Sequence, residues 1–274
     1  MIKNSPIGIF DSGYGGLTVY HEITKVLPGY DFIYLGDNAR TPYGTRSFEV
    51  IYQYTKEAVE CLFERGCRLV IIACNTASAE ALRNIQQKFL PAYDASRRVL
   101  GVIRPSVEAV GAITQSNVVG ILGTEGTIRS RSYILEINKL FPKIKVIQQA
   151  CPMWVPLVEN HEIDNEGAAF FIRREIGALL QKNGRIDTVI LGCTHYPHLI
   201  TLIRKHLPHS IRLLAQGQLV ADSLSDYLQR HSEINERCSK SGAEQFLTTE
   251  KSEIFSAKAS RFLKRKIEAE TITI

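Results

Sequence analysis

Two stretches decide the reading of this chain: "LVIIACNTAS" (69–78) and "TVILGCTHYP" (188–197). Each is an unbroken apolar run, rich in β-branched residues, that ends in a small residue and then a cysteine, with a threonine within two positions. A run without polar alternation suits a strand buried on both faces of a parallel sheet. Working outward, similar runs occur at 7–10, 31–36, 99–103, 117–123, 143–149 and 211–215. Segments of helical period lie between them, at 47–65, 78–89, 127–140, 164–182 and 218–231. Strand–helix alternation of this kind predicts an α/β fold with a mainly parallel sheet. Such strands could close one barrel or form two smaller sheets. The likeness of the two cysteine stretches favours two sheets. "GIFDSGYGG" (8–16) and "GILGTEGTI" (120–128) make a second matching pair, each a strand running into a Gly-bearing turn. No Pro/Gly/Ser-rich linker marks a boundary, so one is placed near residue 99.

The bulk numbers bound the answer. At 274 residues, one large domain or two smaller ones are equally in range. A hydrophobic fraction of 45% with 22% charged residues is the balance of a soluble globular protein. The net charge is +5, from 33 basic and 28 acidic residues that are scattered along the chain. The densest basic cluster, "RFLKRK" (261–266), reads as a solvated helix face, so no nucleic-acid partner is expected. No run of eighteen apolar residues occurs, and the N-terminus has no long apolar segment of a secretory leader. The expectation is a cytoplasmic protein without a membrane span. Six cysteines in such a chain read as free thiols. Cys61 and Cys67 lack ligand spacing and no Cys-x-x-Cys occurs, so no metal site is expected.

In parallel α/β sheets, ligands bind beyond the carboxyl ends of the strands. The unusual polar residues of this sequence follow its strand candidates. "DSGYGGL" (11–17) carries Gly13, Gly15 and Gly16, which permit a tight turn with N–H groups open to an anion. The spacing is not that of a dinucleotide fingerprint and there is no P-loop lysine. A small carboxylate therefore fits as well as a phosphate, with a plain turn as the simpler reading. "GDNARTPYG" (36–44) is a polar loop in which Tyr43 is either a ligand contact or a surface tyrosine. Cys74 and Cys193 each precede a helical pattern. The positive end of a helix dipole would lower a thiol pKa there. Either cysteine alone reads as a small buried residue; two in matching polar settings point to chemistry.

A disulfide redox pair needs two thiols in bonding contact. Nucleophilic catalysis needs only one. Racemisation without a cofactor needs two acid/base groups on opposite faces of one carbon, because the roles must reverse for the other enantiomer. The α-proton beside a carboxylate is very weakly acidic. Proton transfer contributes roughly 10²–10⁴-fold; positioning and electrostatic stabilisation must supply the rest. Ser12, Asn75, Thr76 and Thr194 are the right types to hold an α-carboxylate. Asp11 could assist one cysteine and His195 the other, with Glu159 a further acidic candidate.

At these segments the chain resembles the glutamate racemases of the cofactor-independent aspartate/glutamate racemase superfamily. The resemblance rests on "GIFDSGYGGLTV", "YLGDNARTPYG", "IIACNTASA", "GILGTEGTIRSRSY", "CPMWVPLVE" and "ILGCTHYPHL", in family order from residue 8 to 199. It implies Cys74 and Cys193 as the acid/base pair, Asp11 assisting Cys74, and His195 with Glu159 assisting Cys193. Asp11, Ser12, Tyr43, Gly44, Asn75, Thr76, Thr194 and His195 would line the substrate, and Thr124 and Thr127 would reach it. His195 after "GCT" is the glutamate form; aspartate racemases typically carry Glu there. The resemblance further implies two similar α/β domains, related by a pseudo-twofold, with the site in the cleft between them. The first domain would be discontinuous (1–99 and 211–274), the second 100–210. It also implies glutamate as substrate, no cofactor, a homodimer, and D-glutamate supply for peptidoglycan. Some members bind DNA gyrase; nothing in this charge pattern points to that here. Two stretches depart from the family: "GVIRPS" (101–106), with Arg104 and Ser106, and "LLAQGQLVA" (213–221), with Ala215 where an acid is common. Both are expected to lie away from the chemistry, and no motif is read after residue 232.

Overall fold

The computed structural model describes residues 5–274. Among the described residues, ten strands form two all-parallel sheets. The first contains β1 (Ile7–Asp11), β2 (Phe32–Gly36), β3 (Leu69–Ile72), β4 (Arg98–Gly101), β9 (Glu244–Thr248) and β10 (Ala269–Thr271), in the order β10-β9-β2-β1-β3-β4. The second contains β5 (Val118–Gly123), β6 (Lys145–Ala150), β7 (Thr188–Gly192) and β8 (Arg212–Leu214), in the order β6-β5-β7-β8. Without β9 and β10, the two orders are the same: second strand, first, third, fourth. The pseudo-symmetry expected from paired motifs is thus a symmetry of topology, and each sheet reverses direction at its first strand.

β1, β3, β5 and β7 read as continuous apolar runs because both faces are covered. Every residue of these four strands is buried. Helices Leu17–Val26 and Gln216–Arg230 pack on each other over one face of the first sheet. Helix Phe48–Glu64, capped by the Ser47 hydroxyl, covers the other. In the second sheet, helix Glu166–Lys182 packs against one face, with Ile172, Ile176 and Leu179 buried, and helix Ile103–Ile113 against the other. Burying each such side chain contributes about 1.5–3 kcal/mol.

Two expected boundaries are corrected. β8 pairs with β7, so the chain returns to the first sheet after Leu214 rather than at residue 211. β4 runs to Gly101, so the crossing out of the first sheet follows it rather than falling at 99, and Ile103 already begins a helix. The C-terminal stretch is structural: β9 pairs with β2, β10 pairs with β9, and helix Ser252–Leu263 packs on Leu17–Val26. The helical pattern at 127–140 is two helices, broken where Arg131 takes a left-handed conformation at φ 56°. Among the described residues, no helix is long and apolar enough to cross a membrane.

Candidate active site

Cys74 follows the third strand of the first sheet, and Cys193 follows the third strand of the second. Equivalent positions in two equivalent sheets therefore deliver the two thiols. Both line a cavity of about 110 Å³ at the carboxyl ends of the strands. Ser12, Tyr43, Gly44, Asn75, Thr76, Thr124, Thr194 and His195 line it as well. Neither cysteine is disulfide-bonded, and both are nearly inaccessible. A larger depression of about 710 Å³ runs past Leu82, Arg104, Glu136 and Tyr227, but it holds neither thiol.

On the first side, Cys74 is the N-cap of helix Asn75–Glu80, where its sulfur accepts from the Ala77 N–H at 3.5 Å. Ser12 Oγ lies 3.3 Å from the same sulfur. The helix terminus does not win. Burial and then the negative charge of Asp11 push the Cys74 thiol up to about 12, against the two hydrogen bonds. The lowered pKa expected from the helix dipole is thus reversed by desolvation. Asp11 is itself fully buried, and that burial raises its pKa, partly offset by the charge of His195 and by the N–H groups of Gly13 and Gly16.

On the second side, His195 lies between two acceptors. Its Nδ1 is 3.8 Å from Cys193 Sγ and its Nε2 is 3.1 Å from Glu159 Oε1. Burial pulls the imidazole down, but hydrogen bonds to Cys193 and Glu159 outweigh it and push it up to about 10. A neutral ring carries one N–H; a protonated ring can donate to sulfur and carboxylate together. Glu159 ends helix Trp154–Glu159, whose Trp154 stacks edge-on against Tyr196, the residue after His195. That contact explains why "CPMWVPLVE" and "GCTHYP" belong to one site.

The glycine turn after β1 brings the halves together. A Cβ on Gly15 would stand 2.4 Å from His195 Nδ1 and 2.4 Å from Thr194 Oγ1, so only glycine permits the approach. Thr18 Oγ1 donates to the Thr194 carbonyl at 3.0 Å, and Thr194 Oγ1 donates to Asp11 at 3.4 Å. Across the cleft, the Thr76 and Thr124 hydroxyls meet at 2.8 Å, and Gly126 N–H donates to the Gly44 carbonyl at 2.9 Å.

Not every candidate faces the cavity. Tyr43 is buried there, but its hydroxyl donates to Asp37, which also accepts from Arg40 and Thr249. Thr127 does not line the cavity; its N–H bonds to Thr124 Oγ1, and Thr124 Oγ1 donates to its hydroxyl. Asp11 and Glu159 stand behind the lining residues, hydrogen-bonded to Thr194 and His195. Cys151, Val155 and Pro156 line the cavity without having been singled out, although "CPMWVPLVE" contains all three. The two departures from the family pattern are not remote. Ser106 and Gln216 hydrogen-bond to each other, and Gln216 bonds to Asn75, the neighbour of Cys74.

Two buried thiols from pseudo-symmetric strand ends, converging on one small polar cavity, mark a class of amino-acid isomerase. The chain belongs to the Asp/Glu/hydantoin racemase family, whose sequence profile matches residues 7–224. Within it, the chain is similar to the glutamate racemase of Geobacter metallireducens, 40% identical over 261 residues that cover 95% of this chain and 93% of that protein. Glutamate racemase isoform RacE1 from Bacillus anthracis has a similar structure, with a TM-score of 0.90 at 35% identity, covering 99% of this chain and 98% of that one. The glutamate racemase of Francisella tularensis, solved in complex with D-glutamate, has a TM-score of 0.87 at 32% identity, covering 99% of this chain and 98% of that one.

Proposed function

We propose that this racemase interconverts L- and D-glutamate by a two-thiol mechanism, with Cys74 and Cys193 as the acid/base pair. The observation that carries the reading is the delivery of one thiol from each sheet to the same cavity. Glutamate as substrate is supported by the relatives and by the His195 position. In the L-to-D direction, a Cys193 thiolate takes the α-proton and the C–H electron pair moves into the carboxylate. The Cys74 thiol then gives its proton to the opposite face. In the D-to-L direction each step is reversed, so charge and protons balance over a round trip.

The supporting groups fit these roles. Cys74, held as a thiol up to about 12, is the proton donor of the resting site. Protonated His195 places a cation 3.8 Å from the Cys193 sulfur, and Glu159 holds the ring. Asp11 neighbours Cys74 and, through Thr194, the opposing loop. Asn75 and Ser12 are the side-chain donors for the carboxylate, whose charge grows as the proton leaves, and Thr76, Thr124 and Thr194 complete its polar lining. Tyr43 and Gly44 form the adjoining wall. The family resemblance supports a cytoplasmic homodimer that supplies D-glutamate for peptidoglycan.

The test is incubation with L-glutamate in D₂O without added cofactor. The expected result is decay of the circular dichroism signal to zero with loss of the α-proton NMR signal. Exchange with aspartate but not glutamate would reject the substrate. Exchange with neither would reject the reaction.

A further inference from the structure

We infer that Gln216 is a positioning residue for this reaction: through a closed ring of buried hydrogen bonds it orients the Asn75 amide so that an N–H, not the carbonyl oxygen, faces the cavity. The inference rests on the reading of Asn75 as a substrate contact. Asn75 Nδ2 donates to Gln216 Oε1 at 2.6 Å. Gln216 Nε2 lies 2.8 Å from Tyr133 OH, and Tyr133 OH donates to Asn75 Oδ1 at 2.8 Å. The three side chains thus bond head to tail. All three are buried, at 2%, 4% and 0% exposure for Asn75, Gln216 and Tyr133.

The direction of the ring is set by its anchor. Gln216 Nε2 also lies 3.1 Å from the Val102 carbonyl and 2.8 Å from Ser106 Oγ. A backbone carbonyl can only accept, so the amide nitrogen must be on that side. Gln216 Oε1 therefore faces Asn75, which must answer with its own NH₂. Tyr133 then donates to the remaining Asn75 oxygen. Each bond dictates the next: reversing the Asn75 amide would set its oxygen against Gln216 Oε1 and leave the Tyr133 hydroxyl without its acceptor inside a buried site. Among the described residues, the second Asn75 N–H is the one donor of the ring without a protein partner. Asn75 lines the cavity, whereas Gln216, Tyr133 and Ser106 do not. A carboxylate accepts from an N–H and is repelled by a carbonyl oxygen, so the ring selects the orientation that an anionic substrate needs.

The ring also spans both sheets' helices. Gln216 begins the helix that returns to the first sheet, Asn75 begins the helix after β3, and Val102, Ser106 and Tyr133 come from the crossing and the second half. Donor orientation is therefore correct when the halves stand in the arrangement described here.

The experiment is steady-state kinetics with L- and D-glutamate on Gln216→Met, Tyr133→Phe and Asn75→Ala, and on each of the first two combined with Asn75→Ala. Gln216→Met and Tyr133→Phe should each lower kcat/KM roughly tenfold, chiefly through KM, because the donor meets the carboxylate in ground and transition states alike. Neither should lower it further in the Asn75→Ala background. Wild-type kinetics in a folded Gln216→Met or Tyr133→Phe overturns the inference, as does a full additional loss on top of Asn75→Ala. Wild-type kinetics in Asn75→Ala alone removes the substrate-contact reading instead, and the inference with it. If Gln216→Met does not fold, Tyr133→Phe, which removes one oxygen, decides.

Discussion

Replacing Glu159 with Gln removes the one carboxylate on His195 Nε2 and keeps its shape. The pair is 3.1 Å apart, with 6% of the His195 side chain and 19% of the Glu159 side chain exposed. An opposite charge within that distance shifts a titrating group by about one to three units. Because Glu159 is partly solvated, the lower half of that range applies, about one to two units, or ~1.4–2.7 kcal/mol. His195 is raised from 6.5 to about 10 in the folded protein, so its contribution to stability is complete below pH 6.5 and is lost as pH rises through about 10. Glu159→Gln should therefore be less stable by that amount near pH 7, with the gap closing above pH 10. In an imidazole ¹⁵N NMR titration, the His195 midpoint should fall by the same one to two units. An alkaline limb in kcat/KM controlled by His195 should follow it downward. The two enantiomers must lose kcat/KM by equal factors at each pH, since their equilibrium constant is fixed by symmetry. A His195 midpoint still near 10 in Glu159→Gln, or a stability gap that persists above pH 10, would refute the ion-pair reasoning.

Cys74→Ser and Cys193→Ser should each lower racemisation by about 10²-fold or more, the scale of one acid/base group, while circular dichroism shows an intact fold; full activity in either would remove the two-thiol mechanism. Gly15→Ala should lower kcat/KM by about a hundredfold, because its Cβ would meet His195 Nδ1 and Thr194 Oγ1 at 2.4 Å and displace both. Kinetics near wild type there would mean that the turn moves freely. Asp187 accepts from the N–H groups of Gln115 and Ser116 and from the Thr114 hydroxyl. Burial opposes its charge, but these bonds win and hold its pKa at about 2. That stability is present above pH 3.8 and lost as pH falls through about 2, so Asp187→Asn should cost about 1 kcal/mol at pH 7 in urea unfolding, allowing for solvent screening, and nothing below pH 2.

Much of this protein was legible in local patterns. β1, β3, β5 and β7 could be read because a strand covered on both faces must be apolar at every position, a property of consecutive residues. The cysteine stretches could be paired because each strand end carries its polar residues within a few positions. β9 and β10 could not be read: "EQFLT" and "AET" are short segments with half-polar faces, and they become strands only because β2 offers an edge to β9 and β9 then offers one to β10. The return after β8 was misplaced for the same reason, since pairing decides which sheet a short strand joins.

What tertiary structure alone decided is the balance of forces at the site. Helix position argues for a lowered Cys74 pKa; full burial beside Asp11 raises it to about 12. His195 could be named from sequence as an assistant to a cysteine, but only folding sets Cys193 on one ring nitrogen and Glu159, 36 positions away in sequence, on the other. Gln216 reads as one polar residue in a helix, yet it meets Asn75 across 141 positions of chain. Periodicity and turn chemistry act between neighbours in sequence, so a sequence carries them openly. Desolvation, ion pairing and hydrogen-bond direction depend on which distant groups share a space, and only the packed chain specifies that.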